Sequence, residues 1–285
     1  MNILFPTDFS KNSEVAFQYA IDLVKNLNGH IKMINIYDVP QMEDTGVGSL
    51  SNFSSGPGRR LQEKVSDDMK AEVEGKLKAL AAKYELNHQD YDCLGLEGNV
   101  KNEIDKLLST EAYDLVVLGF RNENSQKGVF FGGIANHLVE TANCPVIAVP
   151  PTAKYVDFKK IIYPTDLIHE DTRALSWLIK LARPHKAKIH LLHIGDDYEN
   201  YRETLVQELC DSLSYDHIDY EVVPGVGVSK VILEMTNKTK ADMIAMTTHT
   251  TTLFQKIFHA SASKDVLDNV DIPFIGFSDN TKFED

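Results

Sequence analysis

The stretch NILFPTDFS at residues 2–10 returns 158 residues later as KIIYPTDLI at residues 160–168. Each copy is an apolar run, then an aromatic residue, then Pro-Thr-Asp. The same spacing aligns GHIKMINIYD at 29–38 with AKIHLLHIGD at 187–196, and both segments alternate as β-strands do. A repeat of this length indicates that the chain contains one structural unit twice.

The spacing between the two copies shortens in their later parts. Val100 aligns with Val228 and Asp114 with Asp242, both at 128 residues and without a gap. The first copy therefore carries an insertion. Because this insertion is rich in Gly and Ser, we predict a long loop over residues 41–60.

Each copy alternates strand-like and helix-like segments. In the first copy we predict strands at 2–6, 31–37, 87–94, 115–119 and 146–149, and helices at 10–27, 61–84, 100–109 and 133–141. Such alternation is typical of a parallel sheet covered on both faces. We therefore predict an α/β protein of two tandem Rossmann-like domains, each with a five-stranded parallel sheet flanked by helices. The predicted domains are residues 1–151 and 155–285.

The charge balance excludes two classes of partner. Lys and Arg total 29 against 42 Asp and Glu, a formal net charge of −13, so neither nucleic acid nor an anionic membrane is an expected partner. The apolar runs are far shorter than the roughly 20 residues that a membrane-spanning helix needs. The start MNILFPTDFS lacks the basic and apolar regions of a signal peptide, so we expect a cytoplasmic protein.

The spacings of cysteine and histidine argue against a metal site. Cys93, Cys144 and Cys210 stand far apart without a C-x-x-C pair, so neither a disulfide framework nor a zinc site is predicted. His190 and His193 are three residues apart on a predicted strand, which sends their side chains to opposite faces. We expect each cysteine to be a small buried apolar residue.

The ends of the predicted strands are the expected ligand site, because ligands in open α/β sheets bind beyond the carboxyl ends of the strands. In the first copy this rule points to Asp8, to residues 36–38 and to the loop 119–133. The loop ends in Gly-Gly before a helix, where free N–H groups and the helix dipole favour phosphate. Helix capping is the alternative role for Asp8 and for its counterpart Asp166.

Three segments resemble the universal stress protein family: the start ILFPTDFS, the strand LVVLG with its long following loop, and the end ETANCPVIAVP. The duplication resembles the tandem members of that family. The resemblance implies an adenine-nucleotide-binding α/β fold of five parallel strands. In ATP-binding members the phosphate loop reads G-x2-G-x9-G-(S/T), and an Asp at the end of the first strand contacts adenosine.

The resemblance implies a nucleotide site in the first copy. The residues that it assigns are Asp8 and Ile36 near adenosine, and Gly119, Asn122, Gly132 and Gly133 at the phosphates of ATP, with Mg²⁺ held through the phosphates. The corresponding residues of the second copy are Asp166, Ile194, Thr247, Thr250, Ala260 and Ser261. Because side chains replace all three glycines there, we expect a degenerate second site.

The predicted role is binding and signalling in a stress response, and the protein is not expected to be an enzyme. The sequence contains no G-x-S-x-G elbow, no G-x-x-x-x-G-K-(S/T) loop and no H-E-x-x-H pair, so no catalytic residue is predicted. Two alternatives stay open. One is a tandem scaffold that binds no nucleotide and acts through protein partners, and the other is a slow ATPase.

The closing strands are the expected contact between the two domains. An edge strand has unpaired backbone groups, so residues 145–149 and 273–277 are expected to pair into an internal pseudo-dimer. The alternative is that each closing strand completes only its own sheet. Association of two chains into a homodimer is left open.

Overall fold

The computed structural model describes residues 1–39, 57–120, 133–150, 152–154, 156–165, 169–194, 199–224, 228–247 and 272–283. The strands in these residues are β1 (Asn2–Pro6), β2 (His30–Tyr37), β3 (Tyr91–Glu97), β4 (Leu115–Gly119), β5 (Val146–Val149), β6 (Lys160–Pro164), β7 (Lys188–Ile194), β8 (Ile218–Val223), β9 (Met243–Thr247) and β10 (Phe274–Phe277). The helices are α1 (Lys11–Leu27), α2 (Pro57–Lys83), α3 (Val100–Thr110), α4 (Gly133–Thr141), α5 (His169–His185), α6 (Glu199–Ser212) and α7 (Val228–Thr239). We call the chain up to Pro150 the first half and the chain from Val156 the second half.

The described strands form one sheet in the order β3-β2-β1-β4-β5-β10-β9-β6-β7-β8. Neighbouring strands are parallel except β5 and β10, which run antiparallel with Ile147 opposite Ile275. The predicted α/β fold, with parallel strands flanked by helices, is confirmed, whereas the predicted five-stranded sheet in each domain stays a prediction. β5 and β10 lie within the predicted segments 145–149 and 273–277, so the predicted pairing of the closing strands joins the two halves of the chain.

Helices cover both faces of this sheet. On one face α1, α2, α5 and α6 pack around a core that includes Phe5, Phe17 and Tyr163, all fully buried. On the other face α3, α4 and α7 pack around Leu4 and Ile232. Because the central strands are buried on both faces, their sequences are continuous apolar runs without polar alternation.

The start of α1 shows how the chain leaves the sheet. Ser10 is the N-cap of this helix, and its side chain accepts a hydrogen bond from the Ser13 backbone N–H. Asn28 caps the other end in the left-handed conformation, with φ of 48°, which Asn adopts more readily than most residues. The helix predicted at 10–27 is thus present, with Ser10 as its cap.

Two elements begin four residues away from their predicted starts. α2 begins at Pro57, inside the loop predicted for 41–60. Proline is favoured at the first position of a helix, because the backbone N–H that it lacks would make no hydrogen bond within the helix. The rest of that loop lies outside the described residues. β3 begins at Tyr91 and not at residue 87, because Asp90 N donates to Asn87 O at 2.9 Å and closes a turn before the strand.

The end of the chain returns to the first half. After β10, Lys282 N donates a hydrogen bond to Asn143 O at 2.9 Å, which adds to the pairing of β5 with β10. The predicted domain bounds, 1–151 and 155–285, stay a prediction.

The three cysteines are free thiols. Cys144 is buried, as expected, and burial raises its pKa to about 12. Cys93 and Cys210 are only half-buried, which corrects the expectation of full burial, since both lie near the edge strands β3 and β8. Within the described ranges, no helix combines the length and the apolar character needed to cross a membrane.

Candidate functional site

A cavity of about 260 Å³ lies in the first half at the carboxyl ends of β1, β2 and β4. Three of the predicted site residues, Asp8, Ile36 and Gly119, lie together in its wall. The other lining residues are Pro6, Thr7, Ser13, Ile34, Asn35, Val100, Leu118, Phe120, Ile134 and Ala135. Gly133 begins α4 next to the cavity, and the predicted Asn122 and Gly132 lie outside the described residues.

Most of the cavity wall is apolar. Ile34 and Ile36 come from the end of β2, and Val100 comes from the start of α3. A wall of this kind suits a flat apolar ring, while a few polar groups orient the ligand. The polar side chains in the wall are Thr7, Asp8, Ser13 and Asn35.

Hydrogen bonds around Thr7 hold the end of β1. The Thr7 hydroxyl donates to Ser13 Oγ at 2.9 Å, and its carbonyl accepts from Asn35 Nδ2 at 2.7 Å. The next residue, Asp8, is thereby held in the cavity wall. The sequence argument misses Thr7, Ser13 and Asn35. A polar residue within the apolar run MINIY is the signal that could have found Asn35.

The alternative that Asp8 is the N-cap of α1 is wrong, because Ser10 is the N-cap of this helix. Asp8 Oδ1 accepts a hydrogen bond from the Ser10 backbone N–H at 3.0 Å, and Phe9 between them has φ of 58°. Asp8 therefore shapes the turn before α1. Its counterpart Asp166 lies outside the described residues.

Gly119 is required by the packing of α1. A Cβ at this position would lie 3.0 Å from the backbone C and O atoms of Asn12 in α1. Asn12 Nδ2 also donates to the carbonyl of Phe120. The start of α1 therefore approaches the end of β4 more closely than a side chain at residue 119 would allow.

Lys101 lies next to this cavity, although the sequence argument does not identify it. Its Nζ is 3.6 Å from the point where a Cβ on Gly133 would be. Val100 precedes Lys101, Ile134 follows Gly133, and both of these neighbours line the cavity. Only the fold brings the starts of α3 and α4 together, so no local pattern could have found this residue.

The second half carries a buried carboxylate at the corresponding place. Asp171, which is 1% exposed, aligns with Ser13 in the repeat. Its Oδ1 accepts from Tyr163 OH at 2.7 Å, and its Oδ2 accepts from Thr165 Oγ1 at 2.5 Å. Thr247, one of the predicted second-half residues, donates its hydroxyl to Oδ1 at 3.3 Å. These hydroxyl groups therefore point to the carboxylate.

The two halves differ in electrostatics at these strand ends. His193 stands where the first half has Asn35, and its Nδ1 lies 2.8 Å from Thr165 O, a contact in which Nδ1 donates. The second half therefore carries the buried carboxyl group of Asp171 where the first half has the hydroxyl group of Ser13. Of the other predicted second-half residues, Ile194 ends β7, and Asp166, Thr250, Ala260 and Ser261 lie outside the described residues.

Metal ligands are not gathered in the part of the chain that the structure describes. No three or more His, Cys, Asp and Glu side chains are arranged there to hold a metal ion. His190 and His193 contact different partners, since His190 Nδ1 lies 2.7 Å from Asp219 Oδ1.

Most of the chain matches the sequence model of a known family. The sequence model of the universal stress protein family matches residues 1–150 and 157–209. The chain belongs to the universal stress protein family. The resemblance that the repeated PTD segments indicate is thereby confirmed.

Relatives of this universal stress protein include two from Methanocaldococcus jannaschii. Universal stress protein MJ0531 is 27% identical over 152 residues, which cover 53% of this chain and 83% of the relative. Universal stress protein MJ0577 is 21% identical over 151 residues, which cover 52% and 93%. A solved universal stress protein from Archaeoglobus fulgidus matches 97% of this chain and 98% of its own, with a TM-score of 0.65 and 17% identity. At that identity the likeness shows the fold.

Two positions of the predicted phosphate loop, Gly119 and Gly133, lie within the described residues. Gly119 lies in the cavity wall, and Gly133 begins α4 beside Ile134, which also lies in that wall. The two ends of the loop therefore meet at one cavity. Residues 121–132 lie outside the described residues.

Proposed function

We propose that this universal stress protein binds an adenine nucleotide, ATP in particular, in the cavity of its first half. Its role in the stress response is then binding and signalling, without catalysis, in the cytoplasm. One observation carries the proposal: Asp8, Ile36 and Gly119 line a single cavity at the carboxyl ends of three parallel strands.

Each part of the nucleotide has a matching surface in this proposal. The adenine ring lies against the aliphatic side chains of Ile34, Ile36 and Val100, since burial of apolar surface favours binding. Asp8 accepts a hydrogen bond from a ribose hydroxyl, which a carboxylate does strongly. The phosphates extend towards Gly133, where the N–H groups and the dipole of α4 favour an anion.

Mg²⁺ enters this site with the phosphates. It keeps several of its waters and prefers phosphate oxygens to an all-protein cage. Asp8 is the one carboxylate among the described lining residues, so the protein alone supplies too few oxygen ligands for a divalent cation.

The second half does not bind the nucleotide in this way. Asp171 places a buried carboxylate at the strand ends, and a charge of the same sign as phosphate disfavours binding. Thr247 also adds a side chain where the first half has Gly119, so the backbone cannot be approached as closely.

Catalysis is not part of the proposal, because the wall offers few groups for it. The described lining residues include no His, Lys or Cys and only one acid, Asp8. Asp8 is assigned to the ribose, which leaves no described general base for attack on a phosphate.

The first experiment is mass spectrometry of small molecules released by denaturing the purified protein. Calorimetric titration of ATP with Mg²⁺ into ligand-free protein follows it. We expect a single adenine nucleotide per chain. If the protein releases no nucleotide and gives no binding heat up to millimolar ATP, the proposal is contradicted and the scaffold alternative is favoured. Steady phosphate release from ATP would favour the slow ATPase.

Asp8→Ala tests the ribose contact. It should weaken ATP and adenosine equally, by about tenfold or more, because a hydrogen bond to a charged group contributes about 1.5–3 kcal/mol. Asp166→Ala, at the counterpart position in the second copy, is the matched control and should leave both affinities unchanged. A loss of thermal stability without a loss of affinity in Asp8→Ala would mean that Asp8 serves the turn alone.

A further inference from the structure

Lys101 places a positive charge next to the cavity of the first half. It is the second residue of α3, and its Nζ and Cε lie 3.6 and 3.7 Å from the point where a Cβ on Gly133 would be. The ammonium group therefore lies over the first residue of α4. Val100 and Ile134, the chain neighbours of these two residues, both line the cavity.

Two acids that follow Lys101 in α3 pair with other groups. Glu103, the acid of the first turn of α3, lies 3.7 Å from Lys106. Asp105 lies 2.8 Å from His137 of α4. In addition, the N-termini of α3 and α4 each carry a partial positive charge. The ammonium group of Lys101 and the N-terminus of α4 therefore place positive charge beside the cavity, whereas the N–H groups of Lys101 and Asn102 at the start of α3 already donate to Asn99 Oδ1.

The two copies of the repeat carry different residues at the positions of Lys101 and Gly133. The repeat aligns Lys101 with Ser229 and Gly133 with Ser261. The phosphate-loop pattern that the family resemblance implies has Ser or Thr at the position of Gly133. The first copy lacks that hydroxyl group. The ammonium group of Lys101 lies in van der Waals contact with the position that a Cβ on Gly133 would take.

We propose that Lys101 binds the polyphosphate chain of the nucleotide and makes the site selective for nucleoside di- and triphosphates over nucleosides. The inference rests on the proposed function and adds to it a binding residue and a ligand class. A lysine carries three N–H donors on a flexible stem, so it can follow a chain of phosphates that has no fixed geometry.

The test is calorimetric titration of the full chain with adenosine, with ATP and, separately, with inorganic tripolyphosphate. Lys101→Met should weaken ATP by about tenfold to a hundredfold, as expected for a lost charge-assisted hydrogen bond. It should also abolish tripolyphosphate binding and leave adenosine unchanged. Lys101→Arg keeps the charge and should retain most of the ATP affinity.

Lys106→Met is the matched control. Lys106 is on the same helix, and its side chain is 71% exposed. This variant should bind all three probes like the wild type. Thermal unfolding of each variant, followed by circular dichroism, verifies that the fold is kept, which we expect because Lys101 is exposed.

The outcomes separate this inference from the proposed function. Unchanged ATP affinity in Lys101→Met, or an equal loss for adenosine and ATP, would overturn the role of Lys101. Tripolyphosphate binding that depends on Lys101, in a protein that binds no adenosine, would support Lys101 and overturn the adenine site. A wild-type protein that binds none of the three probes would overturn both.

Discussion

The carboxylate of Asp171 in the second half takes the place of the Ser13 hydroxyl in the first half. Each belongs to the third residue of the helix after Pro-Thr-Asp, and each accepts a hydrogen bond from the threonine of that segment. The distances are 2.5 Å from Thr165 Oγ1 and 2.9 Å from Thr7 Oγ1. Ser13 adds no carboxyl group to the first cavity beyond that of Asp8, whereas Asp171 adds a buried carboxyl group that accepts hydrogen bonds from the surrounding hydroxyl groups.

We predict that Asp171→Ala lowers the free energy of unfolding by more than about 2 kcal/mol, because several buried donors lose this acceptor. The donors are Tyr163, Thr165 and Thr247. Ser13→Ala, the matched change in the first half, removes the acceptor of a single hydroxyl and should cost about 1 kcal/mol. Urea denaturation followed by circular dichroism measures both values.

Asp171→Asn separates the charge from the shape of the side chain. The amide keeps one oxygen as an acceptor, but its NH₂ group faces hydroxyl donors, so an intermediate loss is expected. Equal losses for Asp171→Ala and Ser13→Ala would contradict a central role of Asp171 in this cluster.

The fold could be predicted because its signals are local. The segment NILFPTDFS contains a buried strand, a turn and a helix cap in direct succession, and its second copy doubles the signal. The pairing of 145–149 with 273–277 followed from edge strands with unpaired backbone groups. The start of β3 was missed because the turn closed by Asn87 and Asp90 lies within an otherwise strand-like segment.

The site could be predicted only in part, because its residues come from distant segments. Asp8 and Gly119 follow or end strands, so the rule for strand ends finds them. Lys101 and Gly133 belong to two different helices, and only the packing of α3 beside α4 brings them together. In the sequence, Asp171 is an ordinary acid in the first turn of a helix. Its hydroxyl partners belong to β6, to the residue after β6 and to β9, so no local pattern reveals the cluster.

The packing role of Gly119 predicts a loss of stability that is separate from any ligand. In Gly119→Ala the new Cβ would lie 3.0 Å from the Asn12 backbone, so α1 must shift, at a cost of about 1–3 kcal/mol. Gly75→Ala, on the exposed side of α2, meets nothing within 4 Å and should stabilise the protein by up to about 1 kcal/mol. Melting temperatures of ligand-free protein compare the two variants. A Gly119→Ala protein as stable as the wild type would show that the close approach is not needed.

Asp157, which lies between β5 and β6, predicts a pH-dependent part of the stability. Hydrogen bonds from Lys159 and His185 lower its pKa below the usual value of 3.8. A carboxyl group with a lowered folded-state pKa adds stability above its unfolded pKa, and this stability is lost as the pH falls through the folded pKa. Because the Asp157 side chain is 49% exposed, the effect should be a few tenths of a kcal/mol.

Urea midpoints measured from about pH 5 down to about pH 3 test this linkage. Asp157→Asn should lose less stability over that range than the wild type. Asp216→Asn changes an exposed aspartate and should keep the wild-type slope. A slope for Asp157→Asn equal to that of the wild type would mean that the pair with Lys159 adds nothing.

The contact between the two halves depends on a glycine in β10. A Cβ on Gly276 would lie 2.5 Å from Val139 Cγ1, a side chain of α4 in the first half. Gly276 is also opposite Val146 in the β5–β10 pair. We therefore predict that Gly276→Ala costs more than about 2 kcal/mol, because a close-packed seam between the halves must open to admit one methyl group.

A double-mutant cycle tests whether this cost arises at the seam. Val139→Ala alone leaves a small cavity and should cost about 1–2 kcal/mol. In the double variant the methyl group on residue 276 gains the space that Val139 vacates, so the combined loss should be smaller than the sum of the two single losses. Urea denaturation of the full chain gives all three values. Additive losses would mean that the strain of Gly276→Ala arises within β10 itself, where Phe274 Cε1 lies 3.0 Å from the new Cβ. They would contradict a role of Gly276 in the contact between the halves.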